Sequence, residues 1–99
     1  MAHTNYRNMP AQIRNFEAFT HGSCHSINNL DKEYIVVSYS TPIARAKFDG
    51  VRWHYLLNAR KYSSTTSRLQ GIIRRAWAGE KMEEVDGDKA LYPEYSFGL

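Results

Sequence analysis

The sequence predicts an α+β fold: a small antiparallel sheet of three to four strands with one amphipathic helix packed on one face. Three features carry this prediction. Residues 34–39 are rich in β-branched and aromatic side chains, the Asp-Gly pair at 49–50 separates two alternating segments, and residues 65–78 repeat apolar side chains at helical spacing. Ninety-nine residues, of which 42% are hydrophobic, suit a single domain with a modest core.

Two segments with weaker signals precede the first clear strand. Residues 11–19 place Ile13 and Phe16 at helical spacing, which predicts a short helix. Residues 20–29 contain a glycine, several hydroxyl residues and an Asn-Asn pair, which predict a loop. The core is therefore expected over about 11–79 of the single domain.

The strand at 34–39 carries apolar residues on both sides, so we expect it at the centre of the sheet. Pro42 has no amide hydrogen for a ladder, and Ser40-Thr41-Pro42 is expected to interrupt the strand.

A β-hairpin is predicted around the Asp-Gly pair at 49–50, because both central residues of a type I′ turn need positive φ. A two-residue loop pairs Phe48 with Val51, Lys47 with Arg52, Ala46 with Trp53, Arg45 with His54, and Ala44 with Tyr55. Strand alternation then collects the apolar members on one face and leaves the other to Arg45, Lys47, Arg52 and His54. This second face is expected to be entirely positive.

The strongest helix signal covers residues 65–78. One apolar stripe is formed by Leu69, Ile72, Ile73, Ala76 and Trp77. The hydroxyl run at 63–66 supplies N-cap candidates, and Gly79 suits the left-handed residue after the helix. We also expect a short strand near 60–62 and a short helical extension near 80–85.

Charge is divided unevenly along the chain. Residues 1–79 carry eleven Lys or Arg and four acidic residues, a net charge of +7. Residues 80–99 form an acidic extension with two Lys and six acidic residues, a net charge of −4, and end in a segment that contains Tyr92, Tyr95 and Phe97. Such segregation indicates either a partner or shielding within the molecule.

The basic hairpin face is the main candidate contact surface. Like charges opposite each other destabilise a sheet by about 0.2–1 kcal/mol per pair, and an anionic partner would relieve the repulsion. That partner is either a protein with an acidic surface or nucleic acid; the alternative is a solvated face that the acidic extension neutralises. Helix residues Arg68, Arg74 and Arg75 join the candidate set, although a helix on the apolar face would separate them from the hairpin bases.

Nucleic-acid binding has its own sequence support. Residues 45–75 hold eight Lys or Arg and a single acidic residue, a composition that suits phosphate contacts. Aromatic residues interleaved with these bases or just before them, which can stack on nucleic-acid bases, are Tyr39, Trp53, Tyr55 and Tyr62. Strand alternation offers the alternative that Trp53 and Tyr55 belong to the core.

No enzyme activity, metal or cofactor is predicted. His21, Cys24 and His25 lie close together, but no second cysteine completes a zinc site, and a polar loop with a partly buried thiol is the alternative. The hydroxyl run at 63–67 opens a helix without a glycine-rich phosphate loop, so capping is favoured over a nucleotide site. No apolar run is long enough to span a membrane, and one cysteine suits a reducing cytosol.

Two motifs resemble a known family. Residues 34–44 read Tyr-Ile-Val-Val-Ser-Tyr-Ser-Thr-Pro-Ile-Ala, and residues 61–70 read Lys-Tyr-Ser-Ser-Thr-Thr-Ser-Arg-Leu-Gln. They resemble an uncharacterised domain in small proteins of tailed bacteriophages and related mobile elements, whose pattern is Ser-Tyr-x-Thr-Pro-Ile-Ala, a hairpin, and Tyr-Ser-x-Thr-Thr-Ser before a helix. The resemblance covers about residues 16–77, and Leu69 stands where such members often carry His.

The resemblance implies a setting rather than a reaction. Small phage proteins of this kind commonly bind and redirect a component of the infected cell. The function predicted here is therefore a non-enzymatic binding protein that inhibits or redirects a host factor in the host cytoplasm. The matched polar positions, which fit capping and loop-fixing hydrogen bonds, are Thr41, Ser63, Thr65, Thr66 and Ser67. A homodimer through apolar surface left by so small a sheet stays an open alternative.

Overall fold

The computed structural model describes residues 7–29, 32–87 and 89–91 and has an α+β architecture. Six strands form one sheet in the order β1 to β6. The strands are β1 Thr20–His21, β2 Cys24–Asn29, β3 Glu33–Ser38, β4 Thr41–Phe48, β5 Trp53–Asn58 and β6 Met82–Val85. Two α-helices, α1 Met9–Arg14 and α2 Ser64–Ala76, and a short 3₁₀ helix, Lys89–Leu91, complete the described fold. The predicted class is confirmed, but the sheet is larger than the three to four strands expected and is mixed rather than antiparallel, since β6 runs parallel to β5.

The loop expected over 20–29 is a strand hairpin instead. β1 and β2 pair antiparallel around a tight turn in which Gly22 has φ +55°. The Phe19 amide donates to the Ser26 hydroxyl at 2.9 Å, and the Ser26 amide donates to the Phe19 carbonyl at 3.1 Å. A polar side chain therefore helps to pair the two strands here, and a strand of this kind cannot be recognised from its apolar residues.

The central strand is confirmed. All six residues of β3 are buried, and the strand pairs with β2 on one side and β4 on the other. Pro42 lies inside β4 rather than ending the sheet, because the register shifts between Val36 and Val37 where Pro42 pairs. An irregular register accommodates a residue that cannot donate to the ladder. Tyr39, in the turn before β4, has φ +58°.

The hairpin of β4 and β5 has a longer loop than predicted. Phe48 pairs with Trp53, Lys47 with His54, and Ala46 with Tyr55, so the loop spans residues 49–52. The register differs from the expected one by two positions, and because side chains alternate with a period of two, every strand side chain keeps its predicted face. Val51 and Arg52 leave the strand and become loop residues.

The helix prediction is confirmed with small changes at both ends. The predicted stripe of α2 is buried and packs on Tyr34, Val36, Ala44, Ala46 and Leu57 of the sheet. α1 begins and ends earlier than the expected 11–19, since Phe16 has φ +55° and cannot continue a right-handed helix. The Arg14 guanidinium donates to the Ala76 carbonyl at 3.1 Å, which ties α1 to the end of α2.

The chain between β5 and β6 crosses over through α2. Residues 60–62 form no strand, and the extension expected to be helical near 80–85 is strand β6, which runs parallel to β5. Gly79, at φ +95°, follows α2, and β6 then adds its backbone to the edge of β5. Residues 92–99, which contain the aromatic residues of the predicted extension, lie outside the described residues. No described helix has both the length and the apolar character that crossing a membrane demands.

Candidate functional site

Arg45 does not belong to an exposed basic face. Its side chain is fully buried and forms an ion pair with Glu33, whose residue is 8% exposed. Lys47, half-buried, lies opposite Glu33 in the ladder between β3 and β4. The expectation of an entirely positive second face is therefore wrong, because Glu33 of β3 lies among the hairpin bases. The prediction considered only the hairpin and so did not include the neighbouring strand.

His54 is paired as well. Its Nε2 atom lies 2.6 Å from Asp49 Oδ2, at the start of the hairpin loop. The other oxygen of Asp49 accepts from the amides of Val51 at 2.7 Å and Arg52 at 2.9 Å. Hydrogen bonds from the Arg52 amide, His54 and the Val51 amide hold the pKa of Asp49 below its usual range. One carboxylate thus fixes the whole loop.

The ordered loop presents an apolar and a basic side chain to solvent. Val51 is 83% exposed, and Arg52 beside it is exposed. We call residues 48–53 the hairpin tip. Arg52 is the exposed member of the predicted hairpin bases, whereas Lys47 and His54 are half-buried in the adjoining strands. The register shift creates this arrangement, because Val51 would face Phe48 in the shorter loop.

An aromatic cluster supports the hairpin tip from the helix side of the sheet. The ring of Trp53 lies 4.4 Å from that of Phe16 and 5.5 Å from that of Phe48, between ring centroids. Tyr55 lies 4.9 Å from Trp77. Trp53 and Tyr55 are half-buried and pack against the core, so the core alternative describes them better than free stacking platforms.

The helix bases lie apart from the hairpin bases. α2 packs on the face that carries Ala44 and Ala46, whereas Arg45 and Lys47 alternate to the other face. Arg68 and Arg75 are exposed on α2, and Arg74 makes two hydrogen bonds to Glu84 of β6, at 3.1 and 3.2 Å. The seven predicted contact residues therefore do not form one patch.

Two acidic residues in the described part of the extension pair with bases outside the hairpin. Glu84 pairs with Arg74, and Asp86 accepts from Arg60 at 3.2 Å. The hydrogen bonds from Arg74 lower the pKa of Glu84, and the same contact raises the pKa of Arg74. These contacts neutralise two bases outside the hairpin, and shielding of the hairpin face by the acidic extension stays a prediction.

The hydroxyl signature forms the N-terminal cap of α2. The Ser63 hydroxyl accepts from the Thr66 amide at 3.2 Å, and the buried Thr66 hydroxyl shares a hydrogen bond of 3.1 Å with Ser38 of β3. Gln70 donates to the carbonyls of Asn58 and Arg60 at 2.7 and 2.9 Å. These contacts join the start of the helix to the sheet, in agreement with the capping interpretation.

Cys24 is a buried free thiol, and His21 and His25 near it are half-buried. Across residues 7–29, 32–87 and 89–91, no group of three His, Cys, Asp or Glu side chains is placed to hold a metal ion.

Comparison with known proteins places the chain in a family. A family of unknown function (DUF8033) matches residues 7–90. The chain belongs to DUF8033. No curated protein and no solved structure matches it. The DUF8033 match does not bear on the resemblance to tailed-phage proteins, which stays a prediction.

Sequence reasoning missed three parts of this DUF8033 domain. Asp49 organises the hairpin loop, and its type was a usable signal, since Asp side chains bond to backbone amides two residues on. Phe16 joins the aromatic cluster from a left-handed backbone position. A groove on the second face was missed because its residues His25 and Ile27 come from a segment expected to be loop, although the predicted strand at 34–39 already placed apolar side chains on that face.

Proposed function

We propose that this protein is a non-enzymatic binding protein that engages an acidic surface of a partner protein through the hairpin tip. The observation that supports this proposal is the loop at 49–52. Asp49 accepts hydrogen bonds from the Val51 and Arg52 amides and pairs with the His54 side chain, and the loop exposes Val51 to 83% beside an exposed Arg52.

A preordered loop favours binding because part of the conformational entropy is already lost before the partner arrives. Binding energy in protein interfaces concentrates in a few residues, with Arg and Trp among the commonest. The hairpin tip offers Arg52 at its centre and a half-buried Trp53 behind it. Val51 supplies exposed apolar surface, and its burial against a partner would be favourable.

The charge near the hairpin tip favours an acidic partner. Lys32 and Arg52 are exposed, and Lys47 is half-buried beside His54. Asp49 is the acid of the loop, and its two oxygens accept the amide and imidazole hydrogen bonds described above. A partner carboxylate can therefore pair with Arg52 in the bidentate geometry that guanidinium groups support.

The sequence resemblance supplies the proposed setting. If the chain acts in a phage-infected cell, the partner is a host factor in the host cytoplasm, and occupation of its acidic surface inhibits or redirects it. Phosphate binding by nucleic acid is the second candidate, favoured by the exposed Arg52 and the half-buried Lys47.

The test is a pull-down from bacterial lysate with nuclease, using the tagged protein and three variants. Val51→Ser and Arg52→Ala change the hairpin tip, and Arg68→Ala removes a matched exposed base from the helix side. We expect one stoichiometric protein to be retained by the native chain and by Arg68→Ala. A hot-spot truncation of about 2 kcal/mol weakens binding about thirtyfold, so both tip variants should lose the partner.

Two outcomes contradict the proposal. Retention by both tip variants at the native level would place the contact elsewhere on the molecule. Capture of nucleic acid alone, with an affinity that falls steeply as salt rises, would replace the protein partner by the second candidate.

A further inference from the structure

An apolar groove lies on the face of the sheet opposite α2. It has a volume of about 350 Å³ and is lined by His25, Ile27, Ile35, Val37, Tyr39, Ser40 and Pro42. Ile35 and Val37 are buried in the sheet, whereas Ile27 is 39% and Tyr39 is 65% exposed. Among the described residues, no Lys, Arg, Asp or Glu lines the groove. Its occupant should therefore present apolar and aromatic side chains.

The same face is covered next to the groove. Across the sheet, Ile35 of β3 pairs with Arg45 of β4, and Arg45 pairs with Leu56 of β5. The 3₁₀ helix Lys89–Leu91 contacts β4 and β5, and Leu91 is fully buried without joining the core cluster under α2. The chain therefore reaches residue 91 over the β4 and β5 part of the second face.

Residues 92–99 follow this point and have the chemistry that the groove requires. Tyr95, Phe97 and Leu99 alternate with Ser96 and Gly98, so an extended backbone places the three large apolar side chains on one side. Neighbouring strands lie about 4.8 Å apart, and the distance from β5 to the groove over β2 and β3 is about 10–15 Å. Eight extended residues reach about 26 Å, which is sufficient.

We propose that the groove on the second sheet face is the docking site for the chain's own segment 92–99, with Tyr95, Phe97 and Leu99 directed into it. Docking covers the exposed apolar surface of Ile27 and Tyr39 and extends the layer that Leu91 begins. This inference is independent of the hairpin tip, which it neither uses nor covers.

A spin label tests the proposal on the full-length chain. Ser96→Cys carries the label, because the proposed extended segment would direct position 96 away from the groove, while Cys24 is 1% exposed and is not expected to react. The measurement is paramagnetic broadening of methyl resonances in an isotope-labelled sample. We expect strong broadening at Ile27 and Ile35 and much weaker broadening at Ile72, on the opposite side of the sheet. Adding Phe97→Ser should reduce the broadening, whereas adding Gly98→Ala should not.

A mixed sample distinguishes the source of the segment. Isotope-labelled protein without a spin label is combined with spin-labelled protein without isotopes. We expect no broadening in this mixture. Broadening there would overturn the proposal in favour of a segment donated by a second copy, and equal broadening of Ile27 and Ile72 in the first sample would show that the segment does not occupy the groove.

Discussion

Arg45 shows how a single residue changes meaning between sequence and structure. In the hairpin alone it is one of four bases, but its guanidinium is fully buried and pairs with Glu33 on the adjacent strand. A buried charge is tolerated only when it is paired and hydrogen-bonded, so this pair is a requirement of the fold rather than part of an open binding surface.

Replacing Glu33 by Gln should therefore destabilise the protein strongly. The change leaves the Arg45 charge buried without its ionic partner, and loss of one member of a buried pair costs about 3–5 kcal/mol. Urea denaturation measures the free energy of unfolding. Glu83→Gln, at an exposed position of β6, is the control and should stay within about 0.5 kcal/mol of the native value.

The double variant Glu33→Leu with Arg45→Met checks the reason. Replacing both charges by apolar groups of similar volume removes the buried charge together with its partner, so most of the lost stability should return. A Glu33→Gln variant as stable as the control would mean that the pair is unimportant for the fold.

At the scale of elements, the β4–β5 hairpin shows how one side chain resets a loop. The Asp-Gly pair correctly predicted a hairpin, but the Asp49 carboxylate bonds to two amides beyond the expected turn and lengthens the loop to residues 49–52. Because the shift is by two residues, the predicted faces survive while the opposed pairs change. The element was predictable from local alternation, and its register was not.

The hairpin should lose stability in acid because of Asp49. Its pKa is lowered in the folded protein by the Arg52 amide, His54 and the Val51 amide, relative to an unfolded value of about 3.9. The contribution to stability is therefore fully present above the unfolded pKa and is lost as pH falls through the lower, folded pKa. Urea midpoints measured from neutral to acidic pH should converge for the native chain and Asp49→Asn.

Asp86→Asn is the matched control, since Asp86 is exposed and pairs with Arg60 outside the hairpin. The plot of urea midpoint against pH for Asp86→Asn should run nearly parallel to that of the native chain, whereas the plot for Asp49→Asn should not. Parallel native and Asp49→Asn curves at all pH values would show that the carboxylate hydrogen bonds do not stabilise the loop.

At the scale of the whole molecule, the uneven charge of the sequence is partly neutralised by folding. The crossover through α2 returns the acidic residues of β6 to the sheet, where Glu84 meets Arg74. Glu83, its neighbour in sequence, is exposed in the same strand. Two adjacent glutamates therefore have different surroundings, because the crossover places them in strand β6 and successive strand side chains point to opposite faces.

Charge reversal should separate these two residues. Glu84→Lys places like charges together at Arg74 and should lower the free energy of unfolding by about 0.5–1 kcal/mol more than Glu83→Lys does. The difference should shrink in about 1 M salt, where screening acts over about 3 Å. Urea denaturation at low and high salt checks both points, and equal effects of the two variants would contradict the assigned pairing.

The parts of the fold that were predictable depend on local periodicity. Three elements can be predicted from patterns within about 15 residues of sequence. They are the strand β3, the hairpin around Asp49, and the helix α2 with its Ser63 cap. β1 and β2 did not, because Ser26 and the residues around it are polar and owe their strand structure to hydrogen bonds with another segment. β6 did not, because strand structure there depends on the edge that β5 offers.

The candidate site divides along the same line. By itself, the sequence determined the α+β class, the amphipathic helix and the exposed position of Arg52 near a turn, because backbone propensity and alternation act between near neighbours. Only the tertiary structure decided that Glu33 neutralises Arg45, that the helix bases lie on the opposite layer, and that Val51 and Arg52 form an ordered tip. These outcomes depend on pairings across strands, and side chains far apart in sequence acquire their charge environment only when the sheet brings them together.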